Sequence, residues 1–372
     1  MSIVKPPPLV EIEGPAEARG EAYGRATDTQ IKCGVERYQS FLAAKGCTWD
    51  AVVRASSLLA GRLEEACPEQ YRELNSVAKG AGVDLADVLL INGRSEILNA
   101  AGIDIEAEDR KHLDDGCTAA VAMPERTAEG RLIHGQNWDW RPECEDTTVI
   151  LVVRRSDGPD LMTYVEAGGL ARAGFNEAGI AITGNNLQTT EETWAKPGIP
   201  LSVIRRLALE AETYPAALQA VASSPRTVSN NMIISCARDG GEAFDLETTP
   251  QEIFWLAPDN GLLVHANHFV SPAAQAKVVD AGLLNGMDSL YRDRRVRARL
   301  EQAQDKITQS DFEDAFSDTF GHPAAVLRSP VSRSRKQSIS ATVATILMDA
   351  EARMMRVCQS PYKNSEYATY TL

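Results

Sequence analysis

Three short motifs carry residue types able to do acyl chemistry. The first is the junction Asp115-Gly116-Cys117-Thr118. A thiol at the start of a strand could attack the Gly116 carbonyl, because glycine lets the backbone reach strained dihedrals and leaves that carbonyl open. Chain cleavage would free the Cys117 α-amine to act as general base for its own thiol. A free cysteine is only partly thiolate at neutral pH and needs such an activator. On its own, though, a Gly-Cys pair at a strand start is more often packing than catalysis. The second motif is Gly135-Gln136-Asn137-Trp138-Asp139-Trp140. A hairpin return would set Asp139 beside the first residues of the Cys117 strand, where a carboxylate could hold the new ammonium. The bland alternative is a turn aspartate between core tryptophans. The third is Val264-His265-Ala266-Asn267-His268, in which the Asn267 amide suits a developing oxyanion. The two histidines could suggest zinc. In a strand, however, residues three apart fall on opposite faces, and no further ligand cluster is visible. Neither a metal nor another cofactor is expected.

The elements that must position these motifs follow from periodicity. Residues 26–44, 48–66 and 69–80 carry apolar side chains at helical spacing, punctuated by Gly46 and Cys67-Pro68. Asp84, with Asp87 as capping-box acid, opens another helix. The stretch EAEDRKHLDDG reads as an exposed loop. After Gly116 the period changes: CTAAVAMP, RLIHGQNW, TTVILVVRR and LMTYVEA are short strands joined by hairpin-length loops. GLARAGFNEAGIAITGNNL adds two strands around a glycine turn. Helices follow at 200–211 and at 214–223, the latter capped by Thr213 with Pro215 in its first turn. Strands resume in NNMIISCA, EAFDLE, EIFWLA and LLVHANH. A charged helix at 287–304 precedes a short one starting at Ser310 with Glu313 as capping partner, and ISATVATILMDAEARMMRVC reads as a closing hairpin. Helices, sheet, helices and sheet again imply a layered α+β domain of two mainly antiparallel sheets covered by helices.

Composition sets the outer bounds. The 372 residues include 38 Lys plus Arg against 52 Asp plus Glu, a formal charge of −14. Such a chain repels a phosphate backbone, so nucleic acid is not an expected partner. No apolar stretch approaches the roughly 18 residues of a spanning helix, and the N-terminus lacks a signal-peptide pattern. The expectation is a cytoplasmic protein with no membrane partner. Seven cysteines, an odd number without a CxxC pair, suggest neither a disulfide framework nor a zinc ribbon.

Taken together, DGCTAAV, GQNWDW, YVEAGGLARAGFNEAGIAITGNNL and VHANH resemble the acyl-CoA:6-aminopenicillanate acyltransferase family (peptidase C45). That family is part of the cysteine branch of the N-terminal-nucleophile (Ntn) hydrolases. EIEGPAEARGEAYG and YRELNSVAKGAGVDLADVLLINGRSEI extend the likeness over nearly the whole chain. The resemblance implies a four-layer αββα sandwich made as an inactive precursor. Autocatalytic cleavage between Gly116 and Cys117 would leave a mostly helical chain, 1–116, and a catalytic chain, 117–372. It also implies Cys117 as nucleophile, Asp139 as the carboxylate near its amine and Asn267 as oxyanion donor. Thr118, Ser229 and Asn137 are weaker supporting candidates, for which a strand group satisfying the backbone is an equal explanation. The sequence departs from the family pattern at Ala119, where a second Thr is usual, and at Ser338-Ile339, where a Ser-Arg pair is usual. Arg333 or Arg335 could reach the same space. Loss of that arginine removes a natural partner for a substrate carboxylate.

Several functions remain open on these grounds. An N-acyl amidohydrolase working through a Cys117 thioester is favoured over an acyltransferase onto an amine such as a β-lactam nucleus or amino acid. A papain-like protease using Cys117 and His265 lacks the C-G-[SA]-C-[WY] signature. A non-catalytic binding protein of the same fold is the remaining reading. The expected partners are a small-molecule N-acyl amide, an acyl donor or an amine, together with the chain's own 1–116 fragment. Whether it forms a homo-oligomer stays open.

Overall fold

A computed structural model describes residues 4–44, 46–100, 116–192, 197–303, 306–330 and 340–372. The expected loop EAEDRKHLDDG, except for its closing Gly116, lies outside the described residues, as do Asp115, Arg333, Arg335 and Ser338-Ile339.

The chain opens with strand β1 (Leu9–Glu13) and six helices: α1 (Ala16–Ala26), α2 (Asp28–Ala44), α3 (Trp49–Ala66), α4 (Pro68–Ala81), α5 (Leu85–Asn92) and α6 (Arg94–Ala100). Strands β2 (Gly116–Ala122), β3 (Ile133–Trp140), β4 (Thr148–Arg154), β5 (Leu161–Glu166), β6 (Ala173–Asn176) and β7 (Ile180–Asn186) follow. Helices α7 (Leu201–Leu209) and α8 (Tyr214–Ser223) lead to β8 (Asn230–Cys236), β9 (Glu242–Thr248), β10 (Ile253–Leu256) and β11 (Leu262–His265). Helices α9 (Pro272–Lys277), α10 (Ala281–Asn285), α11 (Ser289–Glu301) and α12 (Gln309–Phe316) precede β12 (Ala341–Asp349), β13 (Met354–Gln359) and β14 (Ala368–Thr371).

The strands form two sheets. One has eight strands in the order β1-β4-β5-β6-β7-β8-β9-β10, and the other has six in the order β11-β2-β3-β12-β13-β14. All pairings are antiparallel except β1 with β4. Strand β4 shows why the layers stack. Its odd residues Val149, Leu151 and Val153 pack with Tyr23, Ile31, Leu74 and Val77 of the helices. Its even residues Ile150 and Val152 join Trp138 and Ile346 of the other sheet. A strand covered on both faces needs this continuous apolar run, and each such side chain contributes about 1.5–3 kcal/mol on burial. On the far side, Val296 and Leu300 of α11 and Phe312 and Phe316 of α12 cover Ala120, Ala122 and Leu347. The result is the αββα sandwich that the resemblance implies. Between the sheets, His134 of β3 reaches Ser235 and Thr183 of the eight-stranded sheet, at 2.9 Å each. Burial pushes this imidazole down to about 3, so it stays neutral.

The capping box of Asp84 and Asp87 and the Thr213 cap are present as expected. Helix α12 starts earlier than expected: Thr308 caps it, with Asp311 and not Glu313 as partner, because Thr-x-x-Asp closes the first turn with both reciprocal bonds. Strands β1 and β14 were not expected, being short and edge-bound. Among the described residues no helix is long and apolar enough to cross a membrane.

Candidate active site

Strand β2 alternates, and its two faces build two halves of a site. Gly116 pairs with Asp139, Cys117 with Trp138 and Thr118 with Asn137. With a side-chain period of two, Cys117 shares the intersheet face with Trp138, while Gly116, Thr118, Asn137 and Asp139 face α11 and α12.

On the helix side the charges are matched. Arg292 donates to the Cys117 carbonyl (2.7 Å), Thr118 Oγ1 (2.9 Å), Asn267 Oδ1 (2.8 Å) and Asp288 Oδ2 (2.8 Å). Arg328 pairs with Asp288 at 2.5 Å and with Asp139 at 3.1 Å. Thr342 donates to Asp139 Oδ1 at 2.7 Å, and Thr345 donates to Asn137 Oδ1 at 2.6 Å. Asp139 and Asn137 are two residues apart, whereas their threonine partners are three apart. A bulge between Thr342 and Ala344 absorbs the extra residue and keeps both hydroxyls on one face. Burial outweighs Arg328 and Arg292 at Asp139 and raises its carboxyl to about 6.

Gly116 is needed here for space. Its φ is not in the left-handed region, but a Cβ would come within 2.8 Å of the Arg328 guanidinium and 2.9 Å of Asp139 Oδ2. The expected reason for this glycine, strained dihedrals, is therefore replaced by close approach: the Asp139 carboxylate lies directly against the Gly116 backbone.

Asn267 also departs from expectation. Its Oδ1 accepts from the Cys117 N–H at 2.8 Å, and its Nδ2 donates to the Asn186 carbonyl at 2.9 Å. Turning the amide over would put its NH2 against two donors, so the hydrogen-bond network fixes this orientation. The amide presents its acceptor half to the Cys117 nitrogen, and one of its two N–H groups donates to the Asn186 carbonyl. Its loop is held by His265, whose ring nitrogens face the Ala266 carbonyl (2.9 Å) and Glu247 Oε1 (2.8 Å). Two acceptors demand a doubly protonated ring. Burial opposes that charge, but Asp245 and Glu247 prevail and raise it to about 9. Glu247 also accepts from the Val270 and Ser271 nitrogens. The two histidines do not fall on opposite faces as the strand argument expected. Strand β11 ends at His265, and the His268 ring stacks on it with centroids 6.2 Å apart. Among the described residues no group of three His, Cys, Asp or Glu could hold a metal.

On the intersheet side, Cys117 lines a pocket with Arg94, Arg172, Arg205, Asn186 and Asn230. It is a partly open cavity of about 50 Å³ between the ends of β7 and β8 and helices α5, α6 and α7. The Arg172 guanidinium lies 4.1 Å over the Trp138 ring.

The supporting candidates separate. Thr118 joins the Arg292 network. Asn137 donates to the Phe316 and Val326 carbonyls at 2.9 and 3.0 Å, fastening α12 to the sheet. Ser229 bonds Thr189, and its backbone nitrogen donates to Glu192; it adjoins the pocket through Asn230. Sequence reasoning missed Arg292, Arg328, Glu247 and Asp245. Arg292 did leave a signal: with Val296 and Leu300 it occupies the buried i, i+4, i+8 stripe of α11. Asp245 and Glu247, two apart in β9 and both fully buried, left another. Arg328 lies in a loop and left none.

A four-layer αββα fold with a cysteine opening a strand beside a buried carboxylate is the arrangement that the resemblance implies. A sequence profile for acyl-coenzyme A:6-aminopenicillanic acid acyl-transferase matches residues 126–363, and the chain belongs to that family. The matched span includes Asp139 and Asn267 and begins beyond β2. The chain is 29% identical over 217 residues to the 40 kDa form of acyl-coenzyme A:6-aminopenicillanic-acid-acyltransferase from Emericella nidulans, covering 57% of this chain and 56% of that protein. An uncharacterized protein from Archaeoglobus fulgidus is 25% identical over 191 residues, 47% of this chain and 32% of the other. The matches thus span about half or less of these relatives. Among solved structures, a mutant of the conjugated bile acid hydrolase from Clostridium perfringens superposes with a TM-score of 0.49 and 16% identity, covering 68% of this chain and 92% of the other. Penicillin V acylase from Agrobacterium tumefaciens gives 0.41 and 12%, covering 66% and 83%.

Proposed function

We propose that this protein is a self-processing cysteine amidohydrolase that cleaves itself between Gly116 and Cys117 and then hydrolyses small-molecule N-acyl amides. The observation that carries this reading is the seat of Cys117. It lines the pocket, its backbone nitrogen is held by Asn267 Oδ1, and the preceding peptide lies against Asp139.

In processing, Cys117 Sγ attacks the Gly116 carbonyl carbon. As the C–N bond breaks, the thiol's proton passes to the Cys117 nitrogen, which leaves as an amine, and a thioester remains. Water hydrolyses it to the Gly116 carboxylate and a free thiol. Asp139, ionised above about pH 6, favours the positive charge that develops on the departing nitrogen and then holds the new ammonium, and Asn267 Oδ1 orients it. In turnover the neutral amine takes the thiol proton while Sγ attacks an amide carbonyl, and it returns the proton to the departing amine. Water then releases the acid. Asn186, which lines the pocket beside Cys117, supplies the side-chain amide for the oxyanion. Residues 1–116 stay bound as the helical layer.

The named relative favours a second reading, transfer of the acyl group from a thioester or amide to an amine. Incubating an acyl donor with and without a panel of amines separates the two: new amide identifies a transferase, free acid alone a hydrolase. Processing is tested by intact mass. The 40.4 kDa chain should yield fragments of about 12–13 and about 28 kDa, scaled by residue number. Cys117→Ala should stay whole, with turnover reduced by about 10⁴-fold or more. Wild-type protein that stays whole yet hydrolyses amides would sink the self-processing reading.

A further inference from the structure

Helix α7 carries two adjacent buried arginines in opposite circumstances. Arg206, fully buried, meets Glu73 at 3.1 Å and Glu210 at 2.7 Å. Arg205, 6% exposed, makes one weak bond, from Nη2 to Asn230 Oδ1 at 3.3 Å. Its Nε is buried without a partner, and among the described residues no carboxylate lies within ion-pair distance of it. At Arg206 the fold supplies acids. At Arg205 it supplies none among the described residues, although an unpaired buried charge is among the most expensive features a fold can keep.

The neighbourhood relieves that charge only in part, through Glu96. Arg205 lines the Cys117 pocket together with Arg94 and Arg172. Both of those share Glu166, at 2.8 and 3.6 Å. Glu96, also in the pocket, is pushed up by burial and spends Oε1 on the Leu201 nitrogen. Burial and Arg172 draw Arg205 down to about 10, which leaves it cationic at neutral pH. Space is reserved for it as well: a Cβ on Gly184 would lie 2.5 Å from Nη2 and 2.6 Å from Nε.

We infer that Arg205, backed by Arg172, is the subsite for a carboxylate carried by the amide substrate, such as that of an N-acyl amino acid. The assignment rests on the amidohydrolase reading for what happens to the ligand, but not for the binding. A planar guanidinium suits a carboxylate; Gly184 closes the Nε–Nη2 edge of Arg205, so the carboxylate would be met from the Nη side that lines the pocket. In the same pocket, Cys117 would then face the amide of a molecule whose charge is already anchored.

The test uses the full-length protein and matched probes, N-butyrylglycine and its neutral carboxamide. Binding is read by calorimetry and thermal shift in Cys117→Ala, and turnover in wild type. The acid should bind about 30-fold or more tighter than the carboxamide. Arg205→Gln should collapse that ratio toward one, and Arg205→Lys should keep part of it. Without ligand, Arg205→Gln should melt no lower than its parent, since it removes an unpaired charge. Should Arg205→Gln not fold, Gly184→Ala, which crowds the guanidinium, should weaken acid binding selectively. Equal binding of acid and carboxamide, or an unchanged preference in Arg205→Gln, would overturn the assignment. So would inorganic phosphate or coenzyme A stabilising the protein as well as the acid does, which would indicate a general anion site. Acid binding without turnover in wild type would overturn the hydrolase reading alone, and turnover without acid preference the subsite alone.

Discussion

The two faces of β2 treat charge in opposite ways. Toward α11, two arginines, Arg292 and Arg328, meet two aspartates, Asp139 and Asp288. Toward the pocket, Arg172 reaches Glu166 only at 3.6 Å, and Arg205 has no ion-paired acid among the described residues. A closed network holds its members in one geometry, because losing any one strands another's buried charge. An open one retains an electrostatic deficit that a ligand can fill. The same strand therefore places Cys117 between a positioning side and a receiving side.

Breaking the closed side should have the largest structural effect. Asp139→Ala leaves Arg328 without that carboxylate, and stability in urea should fall by about 3–5 kcal/mol. A loss below about 1 kcal/mol would show that the network is not closed as described. On the receiving side, Asn186→Ala should lower kcat by about 100- to 1,000-fold with little change in melting temperature, the signature of a lost oxyanion donor. A change confined to KM would assign Asn186 to ground-state binding. The next contrast is in pH. The Asp139 carboxyl is raised to about 6, so it is protonated below that value and ionised above it. Pulse-chase processing should quicken about tenfold per unit up to pH 6 and then level. In Asp139→Asn this limb should vanish and the rate stay low. The smallest effect should come from Thr118→Val, which removes one of the four acceptors around Arg292. About 1–2 kcal/mol of stability should be lost, with processing retained.

Legibility followed the range of the interactions. Cys117 and Asp139 were readable because a hairpin of consecutive strands brings them together, and local periodicity reports hairpins. The capping box at Asp84 and the Thr213 cap were readable for the same reason. Asn267 could be singled out, but the half of its amide that faces Cys117 could not, since that depends on Arg292 and Asn186, far away in the chain. The histidine stacking was misjudged because β11 stops at His265, a boundary set by its pairing with β2 at Ala119.

The sequence by itself determined the layered α+β class, the change of period at Gly116 and the place of Cys117 at a strand start. These follow from side-chain patterning within a few residues. Only the tertiary structure decided that Gly116 is required by the approach of Arg328, that a bulge in β12 aligns two threonines, and that Arg206 finds carboxylates while Arg205 finds none among the described residues. The two arginines are neighbours of identical chemistry on one helix turn. What separates them is the direction each faces, one into a packed charge network and the other into the Cys117 pocket, and direction is fixed only when the layers close.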